Sequence, residues 1–273
     1  MDFSDALELV TERFPFDRYI CAENGSYVDV ADTVSRLLPV GAKILDFGCG
    51  PCDKTAILQY MGFQCTGYDD LSDSWHVASD NRERIQSFAR NCGIEFVLAS
   101  NSPMPFNQPQ FDMVMAHGVL EHLHDSPRDL LNDLVELLNP GGLLFVSVPN
   151  AVNLRKRLDV LRGRTNLPPY EYFYWHPGPW RGHIREYAKD DLVQLSSYLG
   201  LETVALEGCD HMLNKVPGKL RSTWRAATSL FPGLKDSWKL VARKPINWQS
   251  RKCLDSTEVG RVFASNKVHR HAA

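Results

Sequence analysis

Hydrophobic and polar positions along the chain switch between two periods, and the switches lay out the elements. In residues 1–38 the period is helical, and VDVADTVSRLL puts Val30, Val34, Leu37 and Leu38 on one face. Pro39-Val-Gly41 breaks it. Short apolar runs then predict buried strands at AKILDF (42–47), FQCTGYDD (63–70), IEFVLAS (94–100), FDMVMAHG (111–118) and LLFVSVPN (143–150). Between them KTAILQYMG (54–62), ASDNRERIQSFARNCG (78–93) and SPRDLLNDLVELLNPGG (126–142) predict helices. Gly62 is placed as a C-cap glycine, and Ser126 and Pro127 as N-cap and first helical residue. KDDLVQLSSYLG (189–200) predicts a further helix, and LETVALEG (201–208) and SWKLVARKP (237–245) two further strands.

Strands alternating with helices imply an α/β fold, a mostly parallel sheet with helices on both faces. One unit over 1–245 accommodates all of it, with its core at 40–150. Residues 151–188, rich in Pro, aromatics and His, read as a lid insertion, and 209–236 as a second, basic insertion. The polar tail 246–273 is expected to be poorly ordered. No internal repeat is visible.

Composition narrows the class. A chain of 273 residues with 44% hydrophobic and 23% charged residues is ordinary for a globular protein with a proper core. The net charge of −3 and the lack of a nucleic-acid-binding motif argue against nucleic acid as partner. Acids crowd the first half, whereas Lys215, Lys219, Arg221, Arg225, Lys235, Lys239, Arg243 and Lys244 stand against Asp236. The stretch 215–244 therefore reads either as a membrane-surface or anionic-acceptor patch or as a solvated helix covering the sheet edge. The start Met1-Asp-Phe-Ser-Asp is no signal peptide, and no apolar run nears the roughly 20 residues of a membrane span. Seven scattered cysteines, an odd count, fit a reducing cytosol, so a cytoplasmic location is expected.

The stretch ILDFGCGPC (44–52) carries the chemistry. Cys49-Gly-Pro-Cys52 matches a thioredoxin motif, but Cys49 lies inside Gly-x-Gly behind Asp46, and many β-α units follow it. As a loop the stretch makes better sense. Gly48 and Gly50 let backbone approach a ligand, the next helix offers free N–H groups, and Asp69 and Asp70 end the following strand about 20 residues on. Asp53 stands where a dinucleotide loop has its third glycine, and Asp46 would repel a pyrophosphate. Both features favour S-adenosylmethionine, whose ammonium group at the amino-acid end and whose sulfonium are cationic. A nicotinamide-dependent oxidoreductase and a non-catalytic nucleotide-binding protein remain the rival readings.

ILDFGCG, GYDD, SPMPF, FDMVMAHGVLEHLHD and LLNPGGLLFVSVPN resemble the successive motifs of class I S-adenosylmethionine-dependent methyltransferases over residues 40–150. The branch they resemble includes ubiquinone-biosynthesis-type enzymes and methyltransferases of surface-polysaccharide and natural-product pathways. GHIREY (182–187) and the closing LVARKP are similar to it as well. The resemblance implies a Rossmann-like seven-stranded sheet whose last strand lies antiparallel between its neighbours. It implies that Asp46, Gly48, Cys49 and Gly50 face the methionine part of the cofactor, that Asp69 takes the ribose hydroxyls, and that Asp70 flanks the adenine. Ser100 and Asn101 replace the acid that usually holds the adenine amine, and His117 and Gly118 line the methyl side.

The implied reaction is methyl transfer to a small-molecule or glycan-intermediate acceptor, most naturally at oxygen. Alignment does most of the work, and a base helps if the acceptor is a hydroxyl. His183 and His122 are the candidate catalytic residues, with His117 and His176 as further bases in reach. The aromatic cluster YEYFYWHPGPW could wall the acceptor by stacking or serve only as lid packing. No metal is expected, because His122 and His124 alternate along the chain. A CRRPPY- or NPPY-type amide-methylation signature is missing, which argues against DNA bases or protein amides as acceptors.

Overall fold

The computed structural model describes residues 1–21, 23–99 and 104–252. Among these, seven strands form one sheet: β1 (Lys43–Phe47), β2 (Gln64–Asp69), β3 (Glu95–Leu98), β4 (Phe111–His117), β5 (Leu138–Pro149), β6 (Glu202–Cys209) and β7 (Ser237–Arg243). Their order is β3-β2-β1-β4-β5-β7-β6. The first five run parallel, and β7 is antiparallel to both β5 and β6, as expected. The strand order reverses between β1 and β4, and in open α/β sheets ligands bind at the carboxyl ends beside such a point.

The central strands are apolar on both faces, so each face must be covered. Ile44, Met113, Met115, Phe145 and Val241 point to one side, and α2 (Gly25–Leu37) meets them with Val30 and Val34. Leu45, Val114, Ala116, Leu144, Val146 and Leu240 point to the other, against α5 (Arg128–Glu136) and α8 (Lys189–Tyr198). A third cluster joins α1 (Phe3–Arg13), α3 (Asp53–Tyr60) and α4 (Asn81–Asn91). Asn24 starts α2 by accepting the Ser26 N–H at 3.0 Å.

Several expectations need correction. The helix placed at 126–142 stops at Glu136, because Leu138 already pairs with Phe111 and opens β5. Pro127 sits at its cap position, one residue earlier than expected. The lid insertion contains two helices for which no helical pattern was read, α6 (Leu154–Leu161) and α7 (Tyr170–Tyr174). The basic insertion holds α9 (Gly218–Leu230). Two of its neighbouring lysines are not on the surface. Lys239 is buried, pairing with Asp29 at 2.7 Å and Glu207 at 3.1 Å, and Lys244 Nζ donates to Leu138 O at 2.8 Å. The start of the tail is tied down rather than loose, because Trp248 Nε1 donates to Leu199 O at 2.6 Å and Arg251 N to Asn132 Oδ1 at 2.7 Å. Among the described residues no helix is long and apolar enough to cross a membrane.

Candidate functional site

A cavity of about 590 Å³ opens where β1 and β4 end. Gly48 and Gly50 form its lip with φ of +71° and +53°. A Cβ on Gly48 would lie 2.5 Å from Val119 Cγ2, so only glycine lets the two strand ends approach. A Cβ on Gly50 would meet nothing within 4 Å, since that face opens on the cavity. The Gly50 N–H donates to Asp69 Oδ2 at 2.8 Å, and the Leu71 N–H to Asp69 Oδ1 at 2.7 Å. The end of β2 thereby fixes the loop after β1. Asp70 accepts from Ser72 N and Oγ at 2.8 and 2.6 Å. Gly48, Gly50, Asp69, Asp70 and Gly118 all line the cavity.

Asp46, Cys49 and His117 do not. Asp46 is 4% exposed and accepts from Thr55 Oγ1 of α3 at 2.6 Å. Burial pushes its pKa up to about 7 against the pull of Thr55 and Lys54. It braces the loop from beneath through Thr55. Cys49 and Cys52 are buried thiols 3.6 Å apart, and burial pushes the Cys49 thiol up, the reverse of a reactive thiolate. His117 stacks on His211 at 5.8 Å, and its Nε2 is buried without a partner among the described residues. Burial, Lys54 and His211 keep it uncharged. Ser100 and Asn101 lie outside the described residues; Ala99, just before them, is on the wall.

The two candidate bases do come together. His122 follows β4 and lines the cavity; His183 comes from the lid, and their rings meet edge to face at 5.0 Å. The carbonyl of Arg181 lies 2.8 Å from His122 Nδ1 and takes its proton in a hydrogen bond, leaving Nε2 as the acceptor nitrogen. His183 Nδ1 lies 2.8 Å from Glu186, which Lys156 of α6 also holds. Despite that carboxylate, burial with His122 and Lys156 lowers His183 to about 4, so it is a neutral imidazole.

Beside His122 in the chain stands Glu121, which sequence reasoning did not single out as a base. It is 3% exposed, its Oε2 has no partner among the described residues, and burial pushes its pKa up to about 7. Its backbone carbonyl accepts from Ile184 N at 2.6 Å, which folds the lid back over it. Glu121, His122 and His183 each bring an oxygen or nitrogen within 4.8 Å of the others. His122 thus meets Glu121 and His183, not His124, in a spacing that would admit a cation.

The lid closes the cavity through a short strap. His124 Nε2 lies 2.9 Å from Trp180 O, and Arg181 Nη1 donates to Ser72 Oγ at 2.7 Å. Trp180 and Arg181 line the cavity, as do Phe47 and Tyr68, whose rings stack at 5.3 Å. The aromatics of α7 and of the residues just after it do not: Tyr170 and Trp175 are 71% and 73% exposed, and His176 packs on Trp180 at 5.3 Å.

The wall carries the carboxylates of Asp69, Asp70 and Asp73 and one guanidinium, that of Arg181. A pyrophosphate would be repelled there, whereas a sulfonium would be favoured and a ribose would find acceptors for its hydroxyls. S-Adenosylmethionine therefore fits these residues. Residues 23–206 match a family described as methyltransferase domain. The ubiquinone biosynthesis O-methyltransferase of Xanthomonas axonopodis pv. citri is 32% identical over 212 residues, 77% of this chain and 80% of that protein. The protein of the same name from Idiomarina loihiensis is 27% identical over 62% of this chain and 65% of its own length. A solved S-adenosylmethionine-dependent methyltransferase of Mesorhizobium loti, at 18% identity, superposes with TM-score 0.54 over 81% of this chain and all of its own. Burkholderia thailandensis 1,6-didemethyltoxoflavin-N1-methyltransferase, solved with 1,6-didemethyltoxoflavin and S-adenosylhomocysteine bound, gives 0.53 at 18% identity over 88% and 87%. These structural likenesses speak for the fold alone. With a family match of that extent behind the carboxylate-lined cavity, the chain belongs to the class I S-adenosylmethionine-dependent methyltransferases.

Proposed function

We propose that the acceptor is a hydroxyl group of a small organic molecule, so that the chain works as an O-methyltransferase. The observation that carries this is the meeting of Glu121, His122 and His183 beside the cavity. When bound, S-adenosylmethionine supplies an electrophilic methyl group on a sulfonium. A neutral hydroxyl is a poor partner for it, and removal of its proton by a placed base accelerates such steps by about 10²–10⁴. His122 Nε2 faces the task with its other nitrogen tied to Arg181 O, and Glu121, with a pKa of about 7, is matched to neutral pH as the next proton holder. The oxygen–carbon bond forms as the carbon–sulfur bond breaks, S-adenosylhomocysteine leaves, and the hydroxyl proton stays with the cluster. Asp69 and Asp70 hold and neutralise on one side, while the Trp180–Arg181 strap excludes water from the other. The names of the relatives support oxygen as the acceptor atom.

The test is an assay of phenols, catechols, sugar alcohols and amines with S-adenosylmethionine, read by mass spectrometry. Products one methyl heavier at oxygen are expected. Methylation confined to the amines would refute the proposal.

A further inference from the structure

We propose that a second cavity, at the far end of the lid segment, is a binding site for an organic anion: a carboxylate or phosphate carried on an apolar body. This cavity measures about 660 Å³ and shares no lining residue with the first. It lies where β6 ends, β7 begins and α8 starts.

Its rim is cationic. Arg157, Lys189 and Lys235 line it. Arg157 Nε donates to Val152 O at 2.6 Å, which holds the guanidinium in place, and its terminal nitrogens have no partner among the described residues. Neither the Lys189 nor the Lys235 ammonium group has a hydrogen bond or ion pair among the described residues; Lys235 is held by its backbone, whose N–H donates to Pro232 O at 3.1 Å and whose carbonyl accepts from Asn150 Nδ2 at 2.8 Å. Two carboxylates oppose them, Asp190 and Glu207, and Glu207 is already engaged by Lys239 at 3.1 Å. Lys189 is also misplaced by local rules: it stands in the first turn of α8, where the helix dipole disfavours a cation. A residue that breaks a local rule beside two unpaired cations is what a site for an anion requires.

The floor is apolar, formed by Leu206 and by Trp238, which is 4% exposed. A cationic rim over such a floor selects an anion with a hydrophobic body over a free inorganic ion. Segment 183–189 connects the two sites, carrying His183 to the proton-accepting cluster at one end and Lys189 to this rim at the other.

The test is isothermal titration of the full chain with phenyl phosphate, with phenol and inorganic phosphate as controls. Saturable one-site binding of phenyl phosphate is expected, with saturating S-adenosylhomocysteine leaving it unchanged. Lys189→Gln and Lys235→Gln keep most of the side-chain stem, and each should weaken phenyl phosphate by roughly tenfold. Neither should change the affinity for S-adenosylhomocysteine or the melting temperature. The proposal is overturned if phenyl phosphate does not bind, if both variants bind it like the parent, if either control binds as tightly, or if S-adenosylhomocysteine displaces it. The last result would place the probe in the cofactor cavity and leave the methyltransferase reading standing.

Discussion

Replacing Asp69 by alanine isolates the contribution of the β2 carboxylate to cofactor binding. The carboxylate accepts two backbone bonds, from Gly50 at 2.8 Å and Leu71 at 2.7 Å, which tie it to the loop after β1. If Asp69 takes the ribose hydroxyls, the ligand would add hydrogen bonds to a charged acceptor, each worth about 1.5–3 kcal/mol. Two such bonds give roughly 3–6 kcal/mol, and releasing the Gly50 loop adds to the loss. At 1.4 kcal/mol per tenfold, Asp69→Ala should weaken S-adenosylhomocysteine by at least about 100-fold. Asp69→Asn keeps one oxygen acceptor and should lose roughly tenfold. Titration calorimetry reads both. A thermal melt adds an independent check, because ligand at about 100 times its Kd stabilises the parent by about 2.7 kcal/mol and should barely move the alanine variant. If folded Asp69→Ala binds within about twofold of the parent, the carboxylate is not part of the cofactor site and the reasoning fails.

His183→Ala should lower kcat by about 100-fold while leaving S-adenosylhomocysteine affinity unchanged, and a full rate would remove His183 from the chemistry. Glu121 accepts a proton only when ionised, so the parent rate should rise with pH through about 7 and Glu121→Gln should flatten that limb; an unchanged profile assigns the base elsewhere. The folded pKa of about 7 lies above the unfolded value near 4.3, so the stability Glu121 contributes is present below that value and lost as pH rises through about 7. Glu121→Gln should accordingly raise the melting temperature at pH 8 more than at pH 4. Dialysis against EDTA should leave the rate unchanged, and a loss restored by Mg²⁺ would make Glu121, His122 and His183 ligands of a cation rather than proton acceptors.

What was legible in the sequence is what short-range chemistry fixes. Buried parallel strands must be continuous apolar runs, and positive φ at a close approach must fall on glycine, so β1 to β5 and the Gly48–Gly50 lip stood out. What stayed hidden depends on partners far along the chain. Asp46 at a strand end looked like a ligand-facing acid, but which way its side chain turns was decided by Thr55 on the next helix. Lys239 counted toward a basic surface until Asp29, 210 residues away, drew it into the interior. Glu121 sits in GVLEHLHD between apolar residues and two histidines, with nothing local to mark it as buried. The returning lid shuts it in, where Ile184 and Arg185 donate to its own carbonyl. The shift of its carboxyl toward neutrality follows from that desolvation rather than from any neighbouring charge. A carboxyl shifted by burial carries no motif: its surroundings are supplied by the lid segment folded against it, 60 and more residues along the chain.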